Sequence, residues 1–427
     1  MTKTIDSTAY VTGYQYNFAG EITSMTYPSG RVVTNGYDAI GRLSQVSSGG
    51  INYLYGATYN AAHQPTAFGY GNGVTANFSY NARMQLQTLS YSQFVFPAFN
   101  PVLSLTYNYA HPNGGNTGQI TGITDNLDNG RSVAYAYDEW SRLKTAQSVG
   151  SGNYPQWAMN WVYDRYGNRT NQNGTAGGAP SMQTVVNANT NRVTQMNGVA
   201  VQHDVSGNMT QDDINTYNYD GENRMIQSPP GSPYPAIFNA YDGAGLRVKK
   251  TASSGTSTTR ILYSGTKEIA HYVNTTAPGS PTYEFIYAGS QLVAVTGGTP
   301  QAPWQRYLHQ DHLSPRVITN ETGTPVRNSG HYPFGEMWYE QGGNTPLKFT
   351  TYERDVETGL DYAIFRFHAP RLGRFQIPDL LAGSAFSPQS LNRYAYVMND
   401  PINLVDPLGL EGCPPGCTPL YDELGTY

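Results

Sequence analysis

A seven-residue phrase that returns along the chain constrains the fold more than any single motif does. Tyr37-Asp38-Ala39-Ile40-Gly41-Arg42-Leu43 reappears as Tyr137-Asp138-Glu139-Trp140-Ser141-Arg142-Leu143, as Tyr163-Asp164-Arg165-Tyr166-Gly167-Asn168-Arg169 and as Tyr241-Asp242-Gly243-Ala244-Gly245-Leu246-Arg247. Looser copies begin at Tyr16, Tyr59, Tyr80, His203 and Tyr219; the first starts, 16, 37, 59 and 80, lie 21, 22 and 21 residues apart. A fixed period of this length marks a repeat array, in which one unit cannot bury its own face and must stack on its neighbours.

Each copy joins an alternating apolar and polar run to Asp or Asn, one or two free positions, Gly, and a second alternating run. The Asp or Asn side chain can bond the backbone two residues on and Gly accepts a positive φ, so each unit reads as a β-hairpin. A lone hairpin is marginal in water. The units therefore pair into a long continuous sheet, and the expected class is all-β. Tyr-Asp has two readings: the ring packs along the sheet while the Asp caps the turn, or exposed Tyr and Asp rows grip carbohydrate. Gly- and Pro-rich stretches at Asn113 to Asn116, Asn173 to Pro180 and Ser228 to Pro235 interrupt the ladder as loops.

Composition agrees and excludes other classes. Of 427 residues 35 are Tyr and 46 Gly, while only 13% are charged, against about 25% in ordinary soluble domains. Aromatics at 13% and a net charge of −5 argue against disorder. No run of about 18 apolar residues predicts a membrane span, and Met1 to Tyr10 has neither the basic end nor the apolar stretch of a signal peptide. With 25 basic against 30 acidic residues, no basic stripe for nucleic acid is expected. The two cysteines, Cys413 and Cys417, suit a short disulfide loop or two free thiols; as metal ligands they lack a second His or Cys pair.

The Tyr-Asp-x-x-Gly-Arg-Leu ladder resembles the YD repeats of the Rhs family, which includes Tc-toxin C components and teneurins. The segment from Tyr307 to Leu410 resembles that family's repeat-associated core. It carries His309-Gln310-Asp311-His312-Leu313, Tyr332-Pro333-Phe334-Gly335, Glu353-Arg354-Asp355-Val356-Glu357-Thr358-Gly359-Leu360, Pro370-Arg371-Leu372-Gly373-Arg374-Phe375, Leu391-Asn392-Arg393-Tyr394-Ala395-Tyr396 and Asp406-Pro407-Leu408-Gly409-Leu410. The resemblance implies hairpin repeats over 10–300, a core domain over 301–410 and a variable tail over 411–427. It implies a ribbon that spirals into a partial or complete hollow shell, closed by the core as a plug.

The resemblance also implies a secreted or cell-surface scaffold of a toxin system that cuts its own chain once, between Leu410 and Glu411. The reaction would use two aspartates, here Asp379 and Asp406, since two carboxylates forced together cannot both ionise. Arg374, five residues before Asp379, is a candidate to orient that carboxylate. Two departures stand against the family pattern. Leu380 replaces a Pro after Asp379, and Ser384 to Ser390 reads as an insertion between the aspartates. Both Asp residues also suit simple turn caps. After Leu410 only Glu411 to Tyr427 follow, too few for a folded cargo. Partners are therefore expected to be that enclosed peptide, or a separately supplied toxin or shell-closing protein. A cell-surface glycan belongs to the alternative reading as a binding module. No cofactor or metal is expected. His309 and His312, three apart on a strand, would face opposite sides. Arg366, Arg371 and Arg374 with Glu353, Asp355, Glu357 and Asp361 form a charge run expected to pair internally.

Overall fold

The computed structural model describes the chain except residues 112, 230–233, 254, 256, 300–301, 344, 382 and 416–427. Strands dominate, with only short 3-10 turns beside them. An antiparallel ribbon runs from Gly13–Tyr16 to Val199–Ala200, each strand pairing with the next. Among the described residues no register joins its last strand to its first, so the ribbon is open. A two-stranded hairpin, Gln202–His203 with Met209–Gln211, leads to a second antiparallel sheet of 12 strands, from Asn218–Tyr219 to Met337–Gly342. A 4-stranded sheet, Glu353–Asp355, Leu360–Ala363, Arg366–Ala369 and Arg374–Phe375, begins the coiled terminal segment. The spiralling hairpin sheet expected from the ladder is the observed architecture.

The repeat unit explains itself locally. Asp38 Oδ1 accepts the N–H groups of Ile40 and Arg42 at 3.0 and 2.9 Å, and Gly41 takes φ +83°. Asp138, Asp164 and Asp242 form the same turn, with Ser141 tolerating φ +64° where the others use Gly41, Gly167 and Gly245. From Tyr37 onward the repeat tyrosines then tie their units to an earlier one. Tyr37 donates its hydroxyl to Ile22 O, Tyr59 to Leu43 O, Tyr137 to Ile120 O, Tyr163 to Leu143 O and Tyr241 to Met225 O, at 2.5–2.9 Å. The Arg that ends one turn stacks on the next tyrosine, Arg42 on Tyr59 at 4.9 Å and Arg142 on Tyr163 at 4.7 Å. The period of the sequence is thus the spacing at which one unit's ring reaches the preceding unit's backbone and guanidinium.

One loop expectation is corrected. Arg169–Ala176 is a strand that passes through Asn173, because Asn173 bonds Asn160 across the pair at 2.7 Å and keeps the ladder going. Part of the Ser228 to Pro235 stretch lies outside the described residues.

The inner faces of the two ribbons meet in one continuous core that includes Tyr70, Tyr91, Leu105, Ile286, Tyr307 and Val317. Long-range hydrogen bonds fix their mutual placement. Tyr27 donates to Phe285 O at 2.8 Å, Tyr70 to Leu308 O and Tyr91 to Gln310 O at 2.9 Å, and Arg31 pairs with Glu284 at 2.6 Å. The terminal segment seats on the row of repeat turns. Asn399 donates to Gly167 O, Asn392 to Asn168 Oδ1, Tyr394 to Gly207 O, and Gln389 to Trp140 O. An aromatic knot of Phe349, His368, Phe375 and Tyr396 fills its centre.

Candidate functional site: two carboxyls on one arginine

Asp379 and Asp406, 27 positions apart in the chain, are brought onto a single nitrogen. Arg366 Nη2 lies 2.7 Å from Asp379 Oδ2 and 3.3 Å from Asp406 Oδ2. Arg366 is buried, its guanidinium 3.6 Å from the centre of the Phe375 ring, and it also donates to Gly409 O and to Arg393 O. The neighbouring strands deliver this geometry. Arg366 opens one strand of the terminal sheet, and Phe375 lies on the strand beside it.

Arg374 does not take the role expected of it. Its guanidinium donates to Asn191 O at 2.6 Å and stacks on Tyr394 at 4.7 Å. Strand alternation is the reason: Phe375 lies under Arg366, so its neighbour Arg374 projects to the other side. Sequence proximity to Asp379 pointed to the wrong arginine, whereas Arg366 is distant in sequence and reached through the sheet.

The loop after Asp406 is folded over its own carboxyl. Asp406 Oδ1 accepts the N–H groups of Leu410 at 2.8 Å and Glu411 at 3.1 Å, and Gly409 N bonds Asp406 O at 3.2 Å. Gly409 has φ +71°, and a Cβ there would stand 2.7 Å from Ala363 O, so this close approach requires glycine. Val405 and Cys413 exchange both backbone bonds at 2.8 Å, which closes the loop on either side of Leu410–Glu411. Tyr352 donates to Asp406 O. Cys413 is disulfide-bonded, and Cys417 lies outside the described residues.

Around Asp379 the turn forms without the second proline. Leu381 N donates to Asp379 Oδ1 at 2.9 Å, Asp379 N reaches Arg393 O at 2.8 Å, and Arg393 Nε returns a bond to Asp379 O at 2.8 Å. Leu380 is half exposed at 54%. The inserted stretch closes on itself through Ser384 N to Ser390 Oγ at 2.8 Å. Both aspartates therefore cap turns and also share Arg366.

Burial pushes both carboxyls above their ordinary value, and the Arg366 charge opposes this without cancelling it; at Asp379 the charge of Asp406 adds to the rise. Burial likewise lowers the guanidinium of Arg366, against the pull of both aspartates. The arrangement is a carboxyl pair whose charged forms burial disfavours, one member of which touches the amide nitrogen of the Leu410–Glu411 bond.

The other candidates resolve into packing. His309 is buried and bonds Thr319 Oγ1 at 2.8 Å, while His312 bonds Ile402 O at 2.9 Å, so the two diverge. Asp311 pairs with Arg316. Glu353, Asp355 and Glu357 of the charge run pair across the seam between the second ribbon and the terminal sheet, whereas Asp361 pairs within that sheet and Arg371 with the segment that leads into the second ribbon. Arg247 binds Glu353 and Asp355 at 2.9 and 2.6 Å, Lys250 binds Asp355 and Glu357 at 2.9 and 2.7 Å, Arg354 binds Asp361 at 2.7 Å, and Arg371 binds Asp213 at 2.7 Å. Arg247 is a partner that the charge run itself does not reveal; its place at the end of a Tyr-Asp unit was the available signal.

Comparison with known proteins agrees with this architecture. Residues 102–402 match the teneurin YD-shell family. The probable deoxyribonuclease RhsB of Dickeya dadantii is 24% identical over 424 residues, covering 94% of this chain and 26% of that protein. The toxin subunit YenC1 of Yersinia entomophaga is 25% identical, covering 92% of this chain and 46% of that one. The chain spans less than half the length of the curated relatives it matches. A crystal structure of TcdB2-TccC3 superposes with a TM-score of 0.77 at 20% identity, over 94% of this chain and 22% of the other, and so shares the fold. The chain belongs to the teneurin YD-shell family, an Rhs/YD-repeat shell protein as its ladder and core motifs imply.

Proposed function

We propose that the chain is the shell and plug of an Rhs-type toxin-carrying protein, secreted or displayed at the cell surface, that hydrolyses its own Leu410–Glu411 bond once. The observation that carries the reading is the pairing of Asp379 and Asp406 on Arg366 Nη2 with Asp406 Oδ1 against Glu411 N. In the reaction Asp379 takes a proton from a water whose oxygen bonds to the Leu410 carbonyl carbon. As the Glu411 nitrogen pyramidalises and turns its own hydrogen away from Asp406 Oδ1, protonated Asp406 gives that nitrogen its proton, and the C–N bond breaks. Relatives named as a toxin subunit and a probable deoxyribonuclease support a toxin-linked role. The partner is then the polypeptide downstream of the cut or a toxin supplied separately. Among the described residues no helix is long and apolar enough to cross a membrane.

The scaffold reading is favoured over a glycan-binding one by the repeat tyrosines, whose hydroxyls are engaged by backbone carbonyls. The test is the intact mass of purified protein under denaturing conditions, beside Asp406→Asn and Asp379→Asn. Cut wild type with uncut variants supports the reading; an uncut wild type contradicts it.

A further inference from the structure

The two longest strands among the described residues, Leu86–Val95 and Ala98–Asn108, form one hairpin that outruns its neighbours. Pairing with Val74–Tyr80 stops at Gln93, and pairing with Gly122–Asp125 comes no nearer the tip than Leu105. Beyond them Phe94 pairs with Phe99 and Val95 with Ala98 across a turn at Phe96 and Pro97, and among the described residues no strand pairs with either outer edge there. Every residue from Phe94 to Pro101 is exposed, and Phe96 and Phe99 are 87% and 67% accessible. The Phe94 and Phe99 rings pack together on one face, their centres 5.0 Å apart, and Val95 and Ala98 take the other face. No Asp, Glu, Lys or Arg stands between Arg83 and Asp125. Pro97 and Pro101 carry no N–H, so the tip presents fewer donors that need water.

Apolar side chains exposed singly need no explanation, but a contiguous set marks a binding surface. A protein partner covers one face of a hairpin or adds a strand to an edge. Here both faces and the end are apolar and uncharged, so the fitting occupant is a medium that surrounds the tip, and a bilayer surface is one. The dimensions agree. Two residue pairs at about 3.4 Å each, with the turn, extend about 10 Å, and apolar faces enter the boundary between headgroups and acyl chains by about 5–10 Å. Deeper entry would leave the backbone groups of the outer edges without partners in hydrocarbon. The next pair, Gln93 with Asn100, is polar, and Gln93 Nε2 donates to Asn72 O and Thr322 O at 2.9 and 2.7 Å, which braces the base of the tip on two neighbouring turns. A chain of net charge −5 with a charge-free tip suits zwitterionic lipid over anionic lipid.

We propose that the hairpin tip from Phe94 to Phe99 is an anchor for the surface of a zwitterionic phospholipid bilayer. The three phenylalanines and Val95 enter the boundary between headgroups and acyl chains, while Gln93 and Asn100 stay on the water side. One tip of this size gives reversible binding, since even a single acyl chain does no more. The anchor is independent of whether the chain cuts itself.

The test is cosedimentation of the intact chain with phosphatidylcholine vesicles, beside vesicles that also contain phosphatidylserine. The expected result is a bound fraction that rises with phosphatidylcholine, does not rise further with phosphatidylserine, and is not removed by salt. Phe96→Ser should weaken binding by about tenfold, the factor that one buried Phe side chain carries, and serine at all three of Phe94, Phe96 and Phe99 should abolish it. Ile40→Ser, at an exposed apolar position on a repeat turn, should leave it unchanged. Independently of any loss, Phe96→Trp should add an emission that lipids brominated near the headgroup end of their chains quench. Absence of binding to phosphatidylcholine, equal binding by the triple variant, or an unquenched Trp at position 96 overturns the anchor. Binding that requires phosphatidylserine and vanishes in salt also overturns it, because a charged surface elsewhere is then responsible. Self-association that Phe96→Ser removes, with no vesicle binding, puts a second copy of the chain on the tip and overturns lipid as the occupant.

Discussion

Asp406 Oδ1 accepts the backbone N–H of Glu411 at 3.1 Å, which sets a buried carboxyl against the nitrogen of the bond after Leu410. The contact comes from the glycine turn at Gly409 and the paired backbone of Val405 and Cys413, and it places the loop before any chemistry occurs.

Arg366 is the residue whose loss reaches both aspartates. Arg366→Met removes the counter-charge from two buried carboxyls, and breaking a buried pair in this way costs about 3–5 kcal/mol. Urea unfolding of Arg366→Met should show a loss of that order. Arg374→Met should also lower stability, through Asn191 O and Tyr394, yet leave the cut fraction of the folded protein unchanged. A cut fraction that follows Arg374 and ignores Arg366 would contradict the geometry.

The repeat turn makes a finer prediction. Asp164 Oδ1 accepts the N–H groups of Tyr166 and Asn168 at 2.8 and 2.9 Å. Asp164→Ala removes that acceptor and should cost about 1 kcal/mol, as loss of a comparable helix cap does. Asp164→Asn keeps that acceptor, as the native Asn17, Asn60 and Asn81 do, but turns an NH2 onto Asn168 Nδ2 where Asp164 Oδ2 now accepts, so it should cost less than Asp164→Ala without being neutral. Thermal denaturation of the two variants separates the outcomes.

Tyrosine in the ladder is a tie between units, so Tyr163→Phe should lose its bond to Leu143 O while keeping its ring under Arg142. The expected cost is about 1 kcal/mol for one hydrogen bond, and Tyr163→Ala should cost several times more. Hydrogen exchange should show the loss at the strands Leu143–Ser148 and Ala158–Tyr163 first.

The seam between the second ribbon and the plug has a pH dependence of defined sign. Burial, the largest influence on His271, favours its neutral form, but the hydrogen bond and charge of Glu268 at 3.0 Å outweigh it and raise the ring above 6.5. Burial also raises Glu353, against Arg247. Stability from both is present at lower pH and lost as pH rises through their folded values. Glu268 and Asp355 are buried, but His271 and Arg247 respectively hold them below their ordinary values, so their contribution is lost as pH falls through those values. Unfolding free energy from urea titrations should therefore fall as pH rises above about 6.5, the ordinary value of a histidine in the unfolded chain. His271→Gln should flatten that limb; an unchanged slope would contradict the assignment.

The hairpin ladder, its turn chemistry and the plug motifs were legible because each is local: Asp38 and Gly41 act within their own turn. The reach of Tyr37 to Ile22 O was not, since it depends on how adjacent hairpins register. Asp379 and Asp406 could be named from their surrounding motifs. Arg366 could not, because its path to them runs through pairing of Arg366–Ala369 with Arg374–Phe375, where alternation turns the nearer Arg374 away. The ion pairs of Arg247 with Glu353 and Asp355 join segments more than a hundred residues apart, and the place of Arg247 in its Tyr-Asp unit does not say which acids it meets.

The most direct test of the central claim is the N-terminal sequence of the fragment freed when purified wild-type protein is denatured. A new N-terminus at Glu411, absent from Asp406→Asn, is the expected result. A chain that stays whole after prolonged incubation in native buffer, or a cut at any other bond, would contradict it.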